Sequence, residues 1–187
     1  MGTETGIEPH RRRNALVVLA ASGGALAILA GCSVSSNLDS AKLQDQITQE
    51  VQAVVPEGTE VSVSCPSDIA ISAGATSECT MNVAGQTAQV VVTQEDSEGN
   101  VVFESASAIL FLDQAQDEIT KEVTAQIPGN WTTTCAPPGS SSGIYVAPPG
   151  TTFDCVVSGT TAGGEQQEGT AVVTVDDNKG NISFSVQ

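Results

Sequence analysis

The sequence contains no arginine after Arg13 and no histidine after His10. Without an imidazole, Ser–His and Cys–His nucleophilic schemes have no general base over that stretch. Without a guanidinium, planar two-point clamps on phosphate or carboxylate are missing too. Aromatics are scarce, with one tryptophan, one tyrosine and four phenylalanines, so stacking platforms of the kind glycan sites use are few. After residue 31 the only cations are Lys42, Lys121 and Lys179, three against twenty carboxylates, a net −17 over 156 residues. A surface of that sign repels phosphate backbones, which excludes nucleic acid as a partner. It is also held off anionic lipid headgroups, and solubility is the simplest reason for it. The longest uncharged apolar run stops short of the roughly 20 residues that cross a bilayer comfortably.

That run, Ala15 to Ala30, follows a basic cluster of His10 and Arg11 to Arg13. Positive flank and then short apolar segment is the order of a secretory signal. It closes on Leu29-Ala30-Gly31-Cys32, which resembles the bacterial lipobox. The chemistry accounts for the pattern: a thiol accepts a diacylglycerol thioether, and small residues before it admit a peptidase to the backbone. The expected layout is a lipoprotein signal peptide over 1–31 and a lipidated cysteine with a short tether over 32–37. Cys32 then anchors the chain on the extracytoplasmic face of the membrane, stably if it carries more than one acyl chain. Ser33 to Ser36 span at most about 15 Å, so the first folded unit stays close to the lipid. Asn14-Ala15-Leu16 match a twin-arginine signal poorly, and the export route stays open.

Four cysteines remain, Cys65, Cys79, Cys135 and Cys155. An even number in an exported chain suggests disulfides. With no CxxC pair and no histidine beside them, zinc coordination is not expected. The rest of the chain reads as a tandem repeat, 38–106 and 107–187. Asp45 to Val51 reappears as Asp117 to Val123, and Gly74 to Cys79 as Gly150 to Cys155. Val91-Val92-Thr93, a Gly99-Asn100 turn and Val101-Val102-Phe103 recur as Val172-Val173-Thr174, Gly180-Asn181 and Ile182-Ser183-Phe184. The offset grows from 72 to 76 to 81 residues, placing insertions around Pro137 to Ser140 and Gly163-Gly164, which have loop compositions.

Leu43, Ile47, Val51 and Val54 fall at helical spacing, as do Ala115, Ile119, Val123 and Ile127, so each copy opens with an amphipathic helix. Ser36 or Asn37 is positioned to cap the first, and Pro56 and Pro128 stop both. Val61, Val63 and Cys65 alternate with serines, and Trp131, Thr133 and Cys135 with polar residues. Cys79, Met81 and Val83, and Ile182, Phe184 and Val186, do the same. Strict alternation means sheets with one face covered and one wet. The expected fold class is α+β. Each of two tandem repeats has an N-terminal helix packed on an antiparallel sheet of about four strands, with one disulfide per repeat. In each copy the first thiol closes a strand and the second opens the next, both inward, so Cys65–Cys79 and Cys135–Cys155 are the expected pairs. Each bond closes a loop of about 15 to 20 residues, worth roughly 3 kcal/mol on the chain-entropy account.

Val63-Ser64-Cys65-Pro66 and Gly74 to Cys79, with the helix before them and the hairpin after, resemble an actinobacterial lipoprotein domain, domain of unknown function 4333. Thr133-Thr134-Cys135-Ala136 departs by lacking the proline after cysteine. The resemblance implies the fold, export and a mycolic-acid-bacterium type of host, and no activity.

The residues yield no catalytic site, no cofactor and no metal site. Lys42, Lys121 and Lys179 read as solvated charges on helix faces and in a turn. Twenty carboxylates guarantee that some lie close together, so proximity alone does not make a glycosidase pair. Glu95 to Asn100 and Asp176 to Asn181 offer oxygen ligands, yet lack the glycine spacing and terminal glutamate of an EF-hand; they read as hairpin turns with Gly99 and Gly180 at positive φ. The stretch Pro137 to Pro149 reads as a surface insertion. Trp131, Ile144 and Tyr145 are the candidate partner surface. The expected function is a lipid-anchored, non-enzymatic binding or structural module facing an envelope protein or wall component. The alternative is an envelope hydrolase or enzyme inhibitor acting on cell-wall material.

Overall fold

A computed structural model of the chain describes residues 37–187. The leader, Cys32 and Ser33 to Ser36, on which the export reading rests, lie outside the described residues. The described chain falls into two compact units, 37–107 and Ala108–Gln187. Each mixes one helix with antiparallel sheet, and each holds one disulfide.

The first unit runs α1 (Ser40–Gln52), β1 (Val61–Ser64), β2 (Thr76–Val83), β3 (Gln86–Gln94) and β4 (Val101–Ser105). Its strands follow one another in space as they do in sequence. Leu43, Ile47 and Val51 are buried on one stripe of α1, and the sheet answers with its alternate residues Met81, Val83, Val90 and Val92, each at 1 % exposure or less. The cap is not Ser36 or Asn37. Asp39 takes that role, its carboxylate accepting the Lys42 N–H at 3.2 Å. Asn37 instead bridges to Ala70, and the Leu38 N–H donates to the Ile69 carbonyl at 2.8 Å. The chain enters the helix extended at Asp39, and the Lys42 N–H, one of the orphan amides of the first turn, falls within reach of its carboxylate. The helix ends at Gln52, ahead of Pro56, because a residue preceding proline is pushed out of the α region and the last turn unwinds before it.

Gln94 is 2 % exposed at the end of β3. Its Nε2 donates to the Ala70 carbonyl at 2.8 Å, and its Oε1 accepts the Ser72 N–H at 2.9 Å. One side chain thus pins the loop between Cys65 and Cys79 to the sheet. Gln94→Val removes both bonds and leaves two loop backbone groups unpaired, an expected loss of about 1–2 kcal/mol. Urea unfolding measures it, and faster amide exchange at Ser72 marks the loop as the place where the lock has opened.

The second unit runs β5 (Ala108–Phe111), α2 (Leu112–Gln126), β6 (Gly129–Cys135), β7 (Ile144–Ala147), β8 (Thr152–Thr161), β9 (Gln166–Val175) and β10 (Ile182–Val186). Its main sheet has the order β10-β9-β8-β6, and β5 pairs with β7 in a separate ribbon. Two expectations need correction. The unit opens with a strand rather than a helix, and the proline-rich stretch is no mere surface insertion, since it carries β7. All four residues of β5 are buried. A continuous apolar run carries neither the helical nor the alternating period, which is how Ala108 to Leu112 escape a reading by pattern. The ribbon also serves α2, which has no side-chain cap; the Leu112 N–H donates to the Gly143 carbonyl at 2.8 Å. At the other end Ile127 is extended and Pro128 comes next, so the helix stops where a proline stop is expected.

Candidate functional site

In each unit one cysteine marks the end of a strand, Cys65 just past β1 and Cys135 at the end of β6, whereas its partner, Cys79 or Cys155, is the fourth residue of β2 or β8 rather than its opening one. Cys135 on β6 stands directly opposite Cys155 on β8, and Cys65, one residue past the Ser64–Thr80 pair, stands opposite Cys79. The bonds are Cys65–Cys79 and Cys135–Cys155, each with Cα atoms 4.3 Å apart. Cys79 and Cys155 are at most 1 % exposed. All four described cysteines are thereby tied up as cross-strand staples, and no thiolate nucleophile is available among them.

Of the three residues named as a candidate partner surface, Ile144 is buried while Trp131 and Tyr145 are half-buried against the core of the second unit. Ile144 is 1 % exposed, so it cannot present itself to a partner. Tyr145 packs edge-on against Phe153 with ring centroids 5.4 Å apart. The Trp131 indole N–H donates to the Ile127 carbonyl at 2.7 Å, joining the end of α2 to β6, and both aromatic rings lean on the core cluster. Period-2 alternation turns the Trp131 ring toward the core, and both Trp131 and Tyr145 keep part of their surface exposed.

The lysines do not converge with nucleophiles. Lys42 pairs with Asp39 at 3.3 Å across an exposed helix turn, and Lys121 and Lys179 are exposed on α2 and in a hairpin turn. The two acidic turns are built alike. Asp96 accepts the backbone N–H groups of Glu98 and Asn100 and the Asn100 side-chain amide. Asp177 accepts those of Lys179 and Asn181 and the Asn181 side-chain amide. Gly99 and Gly180 take φ of 90° and 84° to close the turns. The carboxylates are spent on these amides, and among the described residues no group of three metal-ligating side chains occurs.

The same bonds set the acidity. The Asn100 amide, with the turn backbone, holds the Asp96 carboxyl below the ordinary 3.8. Burial pushes Asp177 upward, but the Asn181 side chain and turn amides outweigh it and the net direction is also down. Asp39 is lowered by the Lys42 backbone N–H first and by the Lys42 ammonium after it. A folded value below the unfolded one means the linked stability is complete above about pH 4 and is lost as pH falls through the lower, folded value. Protection of the Asn100 and Asn181 amides against exchange, relative to the unstructured rate at the same pH, is expected to fall on acidification below that point. Asp96→Asn and Asp177→Asn should remove the pH dependence of protection in their own turns, a comparison that NMR protection factors make directly.

A feature the sequence does not announce lies along α1. A groove of about 400 Å³ runs beside the helix, floored by Leu38, Leu43 and Val101 and ended by Gly99 of the hairpin. Lys42, Asp45 and Glu50 stand on its rim. Helical spacing puts Lys42, Asp45 and Gln49 on one flank, but nothing local predicts that β4 stands far enough from that flank to leave a channel.

Residues 23–99 match the family model described as domain of unknown function (DUF4333). The match takes in Cys65 and Cys79 and leaves the second unit outside it. No curated protein and no solved structure matches the chain significantly. Among the described residues no helix is long and apolar enough to cross a membrane.

Proposed function

We propose that this chain is an actinobacterial type of cell-envelope lipoprotein, held by acyl chains on Cys32, in which two copies of one domain form a non-enzymatic binding or structural module outside the membrane. The observation that carries the reading is the tetrapeptide Leu29-Ala30-Gly31-Cys32 at the end of a basic-then-apolar leader. A generic apolar run seldom ends that way, and the thiol is the atom the modification needs. The two-copy reading draws on three blocks recurring in one order in the sequence. It draws also on the like makeup of the units: a helix, a four-stranded antiparallel sheet, a staple between the first two strands of that sheet in chain order, and an Asp–Asn turn before its last strand.

The non-enzymatic reading rests on composition, since residues 32–187 contain neither histidine nor arginine. The buried staples and the carboxylates committed to turns fit a module whose chemistry is used for holding shape. Cys32→Ala is the test. The variant is expected in the soluble extracytoplasmic fraction or as uncleaved precursor, and a fatty-acid label that enters the parent chain should not enter it. Retention of the variant on the membrane at the parent level, with an unlabelled parent, sinks the reading.

A further inference from the structure

Solubility accounts for acidity in general, but not for an apolar channel set beneath an acidic rim. We propose that the groove along α1 docks a cationic, amphipathic peptide segment of a partner protein. An apolar side chain of that segment rests on Leu38, Leu43 and Val101, and its lysine or arginine faces Asp45 and Glu50. The groove lies wholly within the first unit and its occupancy does not depend on lipidation of Cys32.

Size comes first. At about 400 Å³ the groove falls in the range of about 300–1,000 Å³ typical of ligand sites. Its wall extends along α1 from Asp39 to Glu50, eleven residues of helical rise and so about 16 Å. An extended chain covers that length in about five residues, so a peptide fits the shape better than a single small amine does.

Charge selects the sign. Lys42 is the sole cation on the rim and is paired with Asp39, so anions find no open donor of charge there. Glu50 takes only a long contact from the Gln46 amide, 3.4 Å, and Asp45 is exposed. Glu95 and Glu98, in the same hairpin as the lining residue Gly99, are exposed as well, whereas Asp96 is committed to the turn. An acyl chain would meet this charged rim along the whole groove, which argues for an occupant carrying positive charge at its edges. Complementary charge of this kind steers encounter and fixes register, and the apolar floor supplies the holding contact.

The test uses the full chain in neutral detergent and three labelled, end-blocked pentapeptides read by fluorescence anisotropy: Lys-Leu-Lys-Leu-Lys, Lys-Gly-Lys-Gly-Lys and Glu-Leu-Glu-Leu-Glu. The first is expected to bind, and the other two to bind at least about tenfold more weakly. Asp45→Lys/Glu50→Lys should weaken the first by about tenfold or more, while Glu57→Lys/Glu78→Lys, the same charge change away from the groove, should change it by less than about twofold. All four positions lie at the surface or half-buried, and circular dichroism checks that each variant stays folded. Equal binding of the glycine probe, equal loss from both charge reversals, or no saturable binding of the leucine probe overturns the proposal.

Discussion

Replacing Cys135 and Cys155 together by alanine is expected to lower the thermal midpoint of the second unit by about 15 °C, and reduction of the wild-type bond should do the same. The bond spans 20 residues of sequence, a loop whose closure restricts the unfolded chain by roughly 3 kcal/mol. For a unit of this size each kcal/mol moves the midpoint by about 4–8 °C. The loss is felt because little else holds the ends of β6 and β8 together: the core is made of Val, Ile, Ala and Leu, with few aromatics. Trp131 and Tyr145, the only tryptophan and tyrosine in the chain, both belong to this unit. Intrinsic fluorescence therefore tracks its unfolding without a contribution from the first unit. An unchanged midpoint in the double-alanine variant would mean that the staple restrains nothing the strands do not already hold.

Gly159→Val is expected to cost about 3 kcal/mol, at the upper end of what overpacking does. Gly159 on β8 lies directly across from Trp131 on β6. A Cβ there would run into the Asn130 carbonyl oxygen and come within 2.9 Å of both Trp131 Cα and Trp131 Cε3. Backbone on one side cannot yield, so the indole must. Its N–H then leaves the Ile127 carbonyl, and the link between α2 and β6 goes with it. Emission should shift to the red as the ring enters water, together with the drop in midpoint. Wild-type emission and stability in this variant would show that the indole is not confined as described.

The strands that could be read from sequence are those with one wet face. Val61, Val63 and Cys65, and Cys79, Met81 and Val83, alternate because a pleated strand sends neighbours to opposite sides. That period placed each pair of thiols on the inward face, where they bond, although Cys79 and Cys155 lie within β2 and β8 rather than at their starts. Ala108 to Phe111 were not legible, because a strand buried on both faces leaves no alternation. Ile144 to Ala147 are flanked on each side by Pro-Pro-Gly, and the flanks outweighed a four-residue strand whose partner lies 36 residues earlier. Gln94 is polar, so composition sends it outward, while its register beside Val90 and Val92 sends it inward; only the loop it grips resolves the conflict. The groove belongs to the same class, since it depends on the spacing between α1 and β4, which no local pattern encodes. Cys32 is the opposite case: its proposed role is written entirely in the residues just before it.

Mass spectrometry of the amino-terminal peptide of the chain, taken from its native membrane, addresses the lipid anchor itself. The peptide is expected to begin at Cys32 and to weigh more than its amino acids by a diacylglyceryl group, with or without a further acyl chain. A peptide beginning upstream of residue 32, or one beginning there with a free thiol, would contradict acylation at that sulfur.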